Sequence, residues 1–343
     1  MSKVTVTSAT LNIREQPAAT SKAVGEYRQG DVVTALARVE GKFLRDGRFH
    51  WLLTDKGWIA ETYTQPAYSG PTVVFTPAMH APGSDWMWQN PDLQAMLRQV
   101  NLPIKFLSIG FNGDYWAEFN KPEFHLVRIY WPSDKTKWSP QEVWDYVKAG
   151  VLRFYSLGAR KFELHNEPNL PQEGFGYSWK NGDEFGRWLA AFATITRQNC
   201  PDAQLYYPGL SPGVPWTHQF TFTDAAWPHV KGMMDGICQH AYSGVTNNAA
   251  AAAAEVVTQV QEFQKRYALE RPLVISECSV NRAAPAAYKA QVYRNLEQEL
   301  AAIPGVEALV YFISHWEAPP AQAAHQEAWL GTELASRYKN LAL

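Results

Sequence analysis

The sequence predicts an α/β protein in which a (β/α)₈ TIM barrel follows a small all-β domain. From residue 72 to residue 343, apolar runs typical of strands alternate with segments of helical period. Residues 1–64 contain only short strand patterns separated by glycines. Residues 65–71 are rich in Pro, Gly and Ser, as linkers are. A chain of 343 residues is long enough for about two domains, and a barrel takes roughly 250 residues.

The N-terminal segment, residues 1–64, shows no sustained helical period. Its clearest strand patterns are Thr5–Thr7, Leu11–Arg14, Asp31–Leu36 and Gly57–Ile59. The runs that carry a resemblance to a bacterial SH3-like domain, a small barrel of short strands, are Ala9–Arg14, Val24–Tyr27, Gly30–Val33 and Gly57–Ala60. The resemblance implies that residues 1–64 bind cell-wall peptidoglycan or its peptide. The alternative is a docking or stabilising module with no ligand of its own.

The barrel segment contains eight predicted strands: Thr72–Thr76, Ile104–Ser108, Phe124–Tyr130, Lys161–His165, Gln204–Tyr207, Gly236–His240, Leu273–Ser276 and Ala308–Ile313. The clearest helical segments are Ser139–Leu157, Asp183–Gln198, Ala249–Tyr267 and Pro285–Ala302. Ser139 and Asp183 are predicted N-caps, because short polar side chains accept hydrogen bonds from the first helical amides. Gly305 is predicted to take the left-handed conformation that ends a helix.

The composition of the chain argues against some classes of binding partner. The net charge is −2 and the pI is near 6.5, which argues against nucleic acid and against an anionic membrane surface. No apolar stretch is long enough to span a membrane. The first residues lack a hydrophobic signal region, so the chain acts inside a cell, lost a signal or leaves by another route. We expect an extracellular or envelope-associated protein. The three cysteines include no expected disulfide, because Cys238 and Cys278 have opposite strand parity relative to the site.

Aromatic residues are abundant, with 14 Trp, 16 Tyr and 16 Phe. Most are expected to fill the core. Six tryptophans fall on predicted loops, where a flat apolar ring with a polar edge suits stacking on sugars. These are Trp86, Trp88, Trp116, Trp131, Trp138 and Trp179.

Two glutamates end apolar runs, and they indicate an enzyme. Glu167 ends the fourth predicted strand within Asn166-Glu167-Pro168, and Pro168 cannot continue a central strand because it lacks an amide donor. Glu277 ends the seventh. The carboxyl ends of barrel strands carry the catalytic groups. Two carboxylates facing each other there are typical of retaining glycoside hydrolysis, with one acid and one nucleophile.

With these motifs, residues 72–343 resemble the clan of retaining (β/α)₈ glycoside hydrolases, in particular families 5 and 39. The resemblance implies that Glu167 is the acid/base, Glu277 the nucleophile and Asn166 a donor to the sugar 2-hydroxyl. It implies a polysaccharide or oligosaccharide substrate. We expect an endo-acting enzyme on a β-linked polymer of the bacterial envelope or an exopolysaccharide.

Other strand ends supply candidate substrate-binding residues. His240 and Tyr242 share one face of the sixth strand by alternation, and the resemblance implies that Tyr242 hydrogen-bonds the nucleophile. It also implies that Trp316, after the eighth strand, lies under the sugar. His80, after the first strand, and Asn112, after the second, are further candidates, for which a structural role is the alternative.

Arg128 departs from the family pattern. Family 5 members carry an arginine near the nucleophile on the second strand, whereas Arg128 lies on the third predicted strand. Either the strand count is wrong by one or the arginine has moved. An unpaired buried guanidinium would be costly, and Glu163 is the candidate partner.

No metal or cofactor is expected. The histidines show no ligand spacing, and no glycine-rich phosphate loop follows a strand. The rival interpretations are a non-catalytic glycan-binding or cell-wall-binding protein that keeps the barrel, a different barrel enzyme and a structural scaffold. Intact Glu167 and Glu277 argue against the first of these.

Overall fold

A computed structural model describes residues 2–42, 48–316 and 327–341. The chain forms two compact units, Met1–Pro71 and Thr72–Leu343. They are described separately below, the first as an all-β unit and the second as a barrel.

The N-terminal unit consists of two small antiparallel sheets. Its strands are β1 (Ser2–Val6), β2 (Thr10–Arg14), β3 (Ala23–Arg28), β4 (Val32–Ala35), β5 (Ala37–Lys42), β6 (Arg48–Thr54), β7 (Gly57–Ala60) and β8 (Thr64–Pro66). One sheet has the order β4-β1-β8 and the other the order β3-β2-β7-β6-β5. Alternate residues such as Val4, Val6, Leu11 and Ile13 form a common core, as period-2 strands require. The similarity to an SH3-like domain stays a prediction.

The second unit is a closed parallel barrel, which confirms the predicted (β/α)₈ fold. Its strands are β9 (Thr76–His80), β10 (Ile104–Leu107), β11 (Leu126–Arg128), β12 (Lys161–Glu163), β13 (Gln204–Tyr207), β14 (Gly236–Ser243), β15 (Leu273–Val280) and β16 (Val306–Tyr311). The helices are α1 (Pro91–Val100), α2 (Trp116–Phe119), α3 (Pro140–Ser156), α4 (Gly182–Asn199), α5 (Gln219–Val230), α6 (Ala249–Tyr267), α7 (Ala286–Ala301) and α8 (Leu334–Asn340).

Both faces of the barrel sheet are buried. One apolar cluster lies between strands and helices, and a second consists of strand and adjacent residues inside the barrel, among them Leu126, Cys238 and Val274. Near the N-terminal ends of the strands, Glu307 pairs with Lys161 and accepts a hydrogen bond from the Tyr206 hydroxyl at 2.8 Å. The interior is therefore filled, and chemistry is confined to the opposite end.

Helix signals were largely correct. Ser139 caps α3 in a capping box with Glu142, and Gly305 has the left-handed φ of 85°. The prediction of Asp183 as an N-cap is wrong. Asn181 caps α4 by accepting a hydrogen bond from the Glu184 amide. Gly182, which lies between Asn181 and Asp183, is the first residue of the helix. It packs against the Phe222 carbonyl, where a Cβ would not fit.

The first barrel strand is shifted from its predicted position. The apolar run before residue 76 suggested a strand, but Val74 is 81% exposed and β9 begins at Thr76. Pro77 is tolerated inside this strand for a geometric reason. The Met79 amide donates to Pro103, just before β10 begins, so an amide at residue 77 would point where no neighbouring strand yet exists.

The loop tryptophans serve mainly as core. Trp88, Trp116, Trp131 and Trp179 are buried, whereas Trp86 is exposed. All three cysteines are free and buried, and Cys238 and Cys278 lie on opposite faces of the sheet, as expected. Within the ranges that the structure describes, no helix has the length and apolar character needed to cross a bilayer.

Candidate active site

Glu277 lies within β15, and donors from two other strands of the barrel hold both of its oxygens. Arg128, at the end of β11, forms an ion pair with Oε1. Tyr242, on β14, donates its hydroxyl to Oε2 over 2.6 Å. Burial and the charge of Glu277 raise the pKa of the Tyr242 hydroxyl well above its usual value, so it stays a donor. Both contacts favour the ionised carboxylate.

The charge on Glu277 is stabilised despite burial. Its side chain is only 5% exposed, and burial alone would raise its pKa. His240, Arg128 and Lys105 outweigh burial and hold the pKa of Glu277 well below the usual range of a carboxyl group. Glu277 is therefore ionised through the neutral and mildly acidic range.

A second buried carboxylate, Glu163 on β12, supports Arg128. Arg128 donates to Glu163 at 2.8 and 3.2 Å, and Lys105 on β10 donates to it at 2.8 Å. Lys105 also donates to the Ser276 carbonyl at 3.0 Å. Burial would raise the pKa of Glu163, but Arg128 and Lys105 hold it well below its usual value. Two cations and the two carboxylates Glu163 and Glu277 thus form a buried cluster with no net charge, which lowers the cost of burying each.

The cluster resolves the question about Arg128. Its strand, Leu126–Arg128, is third in the barrel order, so the predicted strand count is correct. Glu163 is its partner, as predicted. The second strand carries Lys105 instead.

The imidazole of His240 connects the two halves of the site. Nη2 of Arg128 lies 2.9 Å from its Nε2. A guanidinium cannot accept a hydrogen bond, so Nε2 accepts and Nδ1 carries the proton. Nδ1 then donates to Oε1 of Glu167 at 2.9 Å. Gly209 packs on this ring, and a Cβ there would lie 2.2 Å from Cδ2 of His240.

Glu167 occupies a strained loop directly after β12. Its φ is 35° and that of His165 is 134°, values that side-chain-bearing residues rarely adopt. The Glu167 amide donates to the Gly209 carbonyl, and the Glu167 carbonyl accepts from the Leu170 amide. Strain of this kind is concentrated at functional sites. The side chain is 15% exposed, so Glu167 contacts His240 and still reaches solvent.

Glu167, His240 and Glu277 each place one polar atom within 4.8 Å of the others. Within the described residues this is the one group with the spacing of a metal site. Its hydrogen bonds do not suit a cation. Nδ1 of His240 carries a proton, and Glu277 already binds the guanidinium of Arg128. A metal ion would have to displace the proton and lie against a positive charge.

Asn166, predicted to contact a sugar hydroxyl, is held by an unexpected acid. Its Nδ2 donates to Oε1 of Glu173 at 2.9 Å, in the short turn Pro171–Glu173. Burial, reinforced by the charge of Glu167, raises the pKa of Glu173 to about 8. Glu173 is therefore a neutral acid at pH 7 that orients Asn166. Among the described residues, Nδ2 of Asn166 has Glu173 as its one acceptor, so its second N–H can donate to a ligand.

His80 contributes an unused acceptor beside Glu277. Its Nδ1 donates to the Ala81 carbonyl at 2.7 Å, which leaves Nε2 as an acceptor. Nε2 lies 3.7 Å from Oε1 of Glu277 and has no hydrogen-bond partner among the described residues. Burial and the charge of Lys105 lower the pKa of His80 to about 3, so the ring is neutral.

Two predicted residues lie outside this cluster. The Asn112 amide donates to Asp85 and to the Ile109 carbonyl, each at 3.1 Å, and so ties together the loops after β9 and β10. Trp316 packs edge-on against Phe312, with ring centroids 6.0 Å apart. Phe312 itself contacts the rings of His80 and Tyr242. Phe312, and not Trp316, is thus the aromatic residue next to the groups around Glu277.

Three residues of the site were not assigned to it from sequence. Lys105 interrupts the apolar run Ile104–Leu107, and a lone cation in a buried strand must find a partner; that signal could have found it. Phe312 follows a buried strand, and this context predicts a core residue. Glu173 lies in irregular structure, where no periodicity indicates which side chains turn inward.

Sequence comparisons name no relative: no protein-family model matches the chain, and no curated protein matches it. Solved structures do match. The family 128 (subgroup II) endo-β-1,3-glucanase of Sorangium cellulosum is 16% identical with a TM-score of 0.51, over 78% of this chain and 98% of that one. A glucosidase of Croceicoccus marinus is 14% identical with a TM-score of 0.55, over 79% and 68%.

A fungal β-1,4-galactanase structure is 10% identical, with a TM-score of 0.54, over 79% of this chain and 100% of that one. These structures are glycoside hydrolases by name. At such identities the likeness shows the fold, a (β/α)₈ barrel that this chain shares.

Proposed function

We propose that the protein is a retaining glycoside hydrolase in which Glu277 is the nucleophile and Glu167 the acid/base. One observation carries the proposal. A buried carboxylate that is held ionised has an oxygen within 4.8 Å of an oxygen of a second, partly exposed carboxyl group. Retaining enzymes separate these groups by about 5–5.5 Å, whereas inverting enzymes leave roughly 6.5–9.5 Å for a water molecule.

In the first half-reaction, an oxygen of Glu277 attacks the anomeric carbon while the bond from that carbon to the leaving oxygen breaks. Glu167 gives its proton to the leaving oxygen. Arg128 and Tyr242 orient the attacking carboxylate through their hydrogen bonds to its two oxygens. His240 holds Oε1 of Glu167, which leaves Oε2 to carry the proton that is transferred.

In the second half-reaction, Glu167 takes a proton from water, the water oxygen attacks the anomeric carbon and the bond to Glu277 breaks. The buried cluster favours this change of role. Once Glu277 is an ester, Lys105 and Arg128 face only the charge of Glu163. The surplus positive charge of Arg128 is then linked to the Glu167 carboxyl through the hydrogen bonds of His240.

The substrate we propose is a β-linked polysaccharide attacked within the chain. The neutral His80 offers an acceptor beside Glu277 for a sugar hydroxyl, and Asn166 offers a donor. The structurally similar proteins act on β-1,3- and β-1,4-linked polymers by name, which guides the choice of substrates for a test. Bacterial envelope glycans and exopolysaccharides belong in the same panel.

The test has two parts. Oligosaccharides of β-1,3- and β-1,4-glucan, β-1,4-galactan, mannan, xylan and peptidoglycan are incubated with the protein, and products are read by mass spectrometry. The matching 2-deoxy-2-fluoro glycoside of the hydrolysed sugar should then label Glu277. An adduct on another residue would refute the assignment of the nucleophile. Binding of a glycan without any turnover would support the non-catalytic alternative.

For the N-terminal unit we propose envelope binding, with an envelope location for the protein. A groove of about 270 Å³ is lined by Leu11, Asn12, Arg14, Trp51 and Tyr63, an aromatic and polar mixture suited to a peptide or glycan. Co-sedimentation of the full-length protein with insoluble peptidoglycan should weaken in Tyr63→Ala. If wild type and Tyr63→Ala sediment equally, the proposal that this groove binds the envelope is wrong.

A further inference from the structure

The loop of residues 208–218, between β13 and α5, carries an exposed tryptophan in a fixed position. The Trp216 side chain is 48% exposed, yet its indole N–H donates to the Asn169 carbonyl at 2.7 Å. The polar edge of the ring is therefore used within the protein. The exposed remainder is a flat apolar surface.

Asn169 fixes this surface relative to Glu167. Its Nδ2 donates to the Ser211 carbonyl at 2.8 Å, and the Ser211 amide donates to its Oδ1 at 3.0 Å. Asn169 follows Glu167 by two residues. With the bond from the Glu167 amide to the Gly209 carbonyl, four hydrogen bonds join the loop of residues 208–218 to the Glu167 loop. Trp216 is therefore held close to the proposed acid/base.

The same loop borders a cavity of about 350 Å³, which lies within the size range of small-ligand sites. His218, Gln219 and Phe220 line it on the loop side. Tyr242 also lines it, and the Tyr242 hydroxyl donates to Glu277. One wall of the cavity is thus a residue of the catalytic cluster.

Gln219 gives this cavity a hydrogen-bond acceptor that lacks a donor. Its side chain is 9% exposed, and its Oε1 has no hydrogen-bond partner among the described residues. A buried acceptor without a donor is unfavourable. A ligand hydroxyl would supply the donor, and the aromatic Phe220 beside it suits the apolar face of a sugar ring.

We propose that Trp216 and Gln219 bind the leaving-group sugars of the glycan, those released in the first half-reaction. Glu167 gives its proton to the leaving oxygen, so the sugar that carries this oxygen lies on the side to which Trp216 is fixed. The ligand is a hydroxyl-rich oligosaccharide with at least one sugar beyond the cleaved bond. This inference rests on the proposed function.

The test compares two substrates with the same glycone, the best oligosaccharide of the panel and its 4-nitrophenyl glycoside. Trp216→Ala should lower kcat/KM for the oligosaccharide by about 30-fold, as loss of an aromatic anchor does, and Gln219→Ala by roughly tenfold. The value for the aryl glycoside should stay within about twofold of wild type. Trp216→Phe keeps a ring and should retain most of the activity.

Tyr146, an exposed aromatic residue on α3, provides the control. Tyr146→Ala should leave the ratio between the two substrates unchanged. An equal loss on both substrates in Trp216→Ala, or no loss on either, would overturn the inference while leaving the proposed function intact.

If wild-type protein cleaves nothing in the panel, the proposed function fails, and tryptophan fluorescence titration with the same oligosaccharides decides about the site. Binding that is lost in Trp216→Ala and kept in Tyr146→Ala would still support a glycan site at Trp216. Absence of binding, or binding that is unchanged in Trp216→Ala, would overturn it.

Discussion

The two carboxyl groups of the site stand in opposite surroundings. Glu277 lies inside a continuous eight-residue strand, is nearly inaccessible and accepts hydrogen bonds from Arg128 and Tyr242. Glu167 lies in a strained loop, reaches solvent and accepts one hydrogen bond from His240. Glu277, in a rigid strand beside compensating charges, keeps its ionised form. The loop position leaves the carboxyl group of Glu167 accessible to solvent.

The comparison shows how one barrel end places the same residue type in two different surroundings. Burial alone would raise the pKa of Glu277 and favour its neutral form. What distinguishes them is Arg128, which pairs with Glu163, contacts Glu277 directly and reaches Glu167 only through the imidazole of His240. The predictions below test this division.

The largest effect is expected for Glu277→Gln. Turnover should fall by about 10⁴–10⁶, because an amide cannot form the covalent intermediate and acid–base help alone contributes about 10²–10⁴. The fold should persist, since Gln keeps an acceptor for Arg128. The matched control is Glu327→Gln, a buried glutamate that accepts from Ser279 on the same strand, and its rate should stay within about tenfold. A similar rate in Glu277→Gln would remove Glu277 from the mechanism.

Glu167→Ala should lose roughly 10²–10⁴ in rate on substrates with sugar leaving groups, which need a proton donor. An activated aryl glycoside should still form the glycosyl-enzyme and then stall. Azide, which needs no deprotonation, should enter the vacated space and release a glycosyl azide of retained configuration, as nuclear magnetic resonance can show. A product of inverted configuration would mean that the two roles are exchanged or that the enzyme inverts.

Glu173→Gln should stabilise the protein at alkaline pH. The folded pKa of about 8 exceeds the ordinary value of 4.5, so the folded state holds this proton more tightly and wild-type stability falls as pH rises from about 4.5 to 8. Gln still accepts from Asn166 but has no such loss. Between pH 5 and pH 8, its advantage in unfolding free energy should grow on the order of 3–5 kcal/mol.

Urea unfolding at both pH values measures this difference. Glu270→Gln, at an exposed position, serves as the control and should show no such growth. An advantage of Glu173→Gln that is equal at pH 5 and pH 8 would contradict a protonated Glu173.

The smallest effect is expected for Tyr242→Phe, which removes one hydrogen bond from Glu277. That bond favours the ionised form, so its loss raises the pKa of Glu277. The acidic limb of kcat/KM should move upward by about one pH unit, since a hydrogen bond to a charged group is worth about 1.5–3 kcal/mol. Tyr130→Phe, which removes a hydroxyl with no such bond to Glu277, should leave the limb in place.

A considerable part of the site followed from local signals. Pro168 placed Glu167 at a strand end, and alternation along one strand placed His240 and Tyr242 on the same face. The structure brings these side chains together with Glu277. Arg128 and Glu163 could be paired because a buried cation needs a counter-charge.

Other parts of the barrel and the site could not be predicted from neighbouring residues in the sequence. The seventh strand continues to Val280, past the predicted end at Ser276, because it pairs with β14 through Ser243. Asn112 and Trp316 follow strands as site residues do, but hydrogen bonds and packing in the loops decide where such side chains point. Whether they contact a glycan stays a prediction.

By itself, the sequence determined the barrel, the order of its strands and the two glutamates at its carboxyl ends. These depend on period, on proline and glycine, and on the position of a residue within its own strand. The tertiary structure alone decided which groups surround each glutamate. Lys105 and Ser276 are separated by 171 residues, and Arg128 and Glu277 by 149. Charge states in the site depend on distances between such groups, and those distances exist only once the barrel has closed.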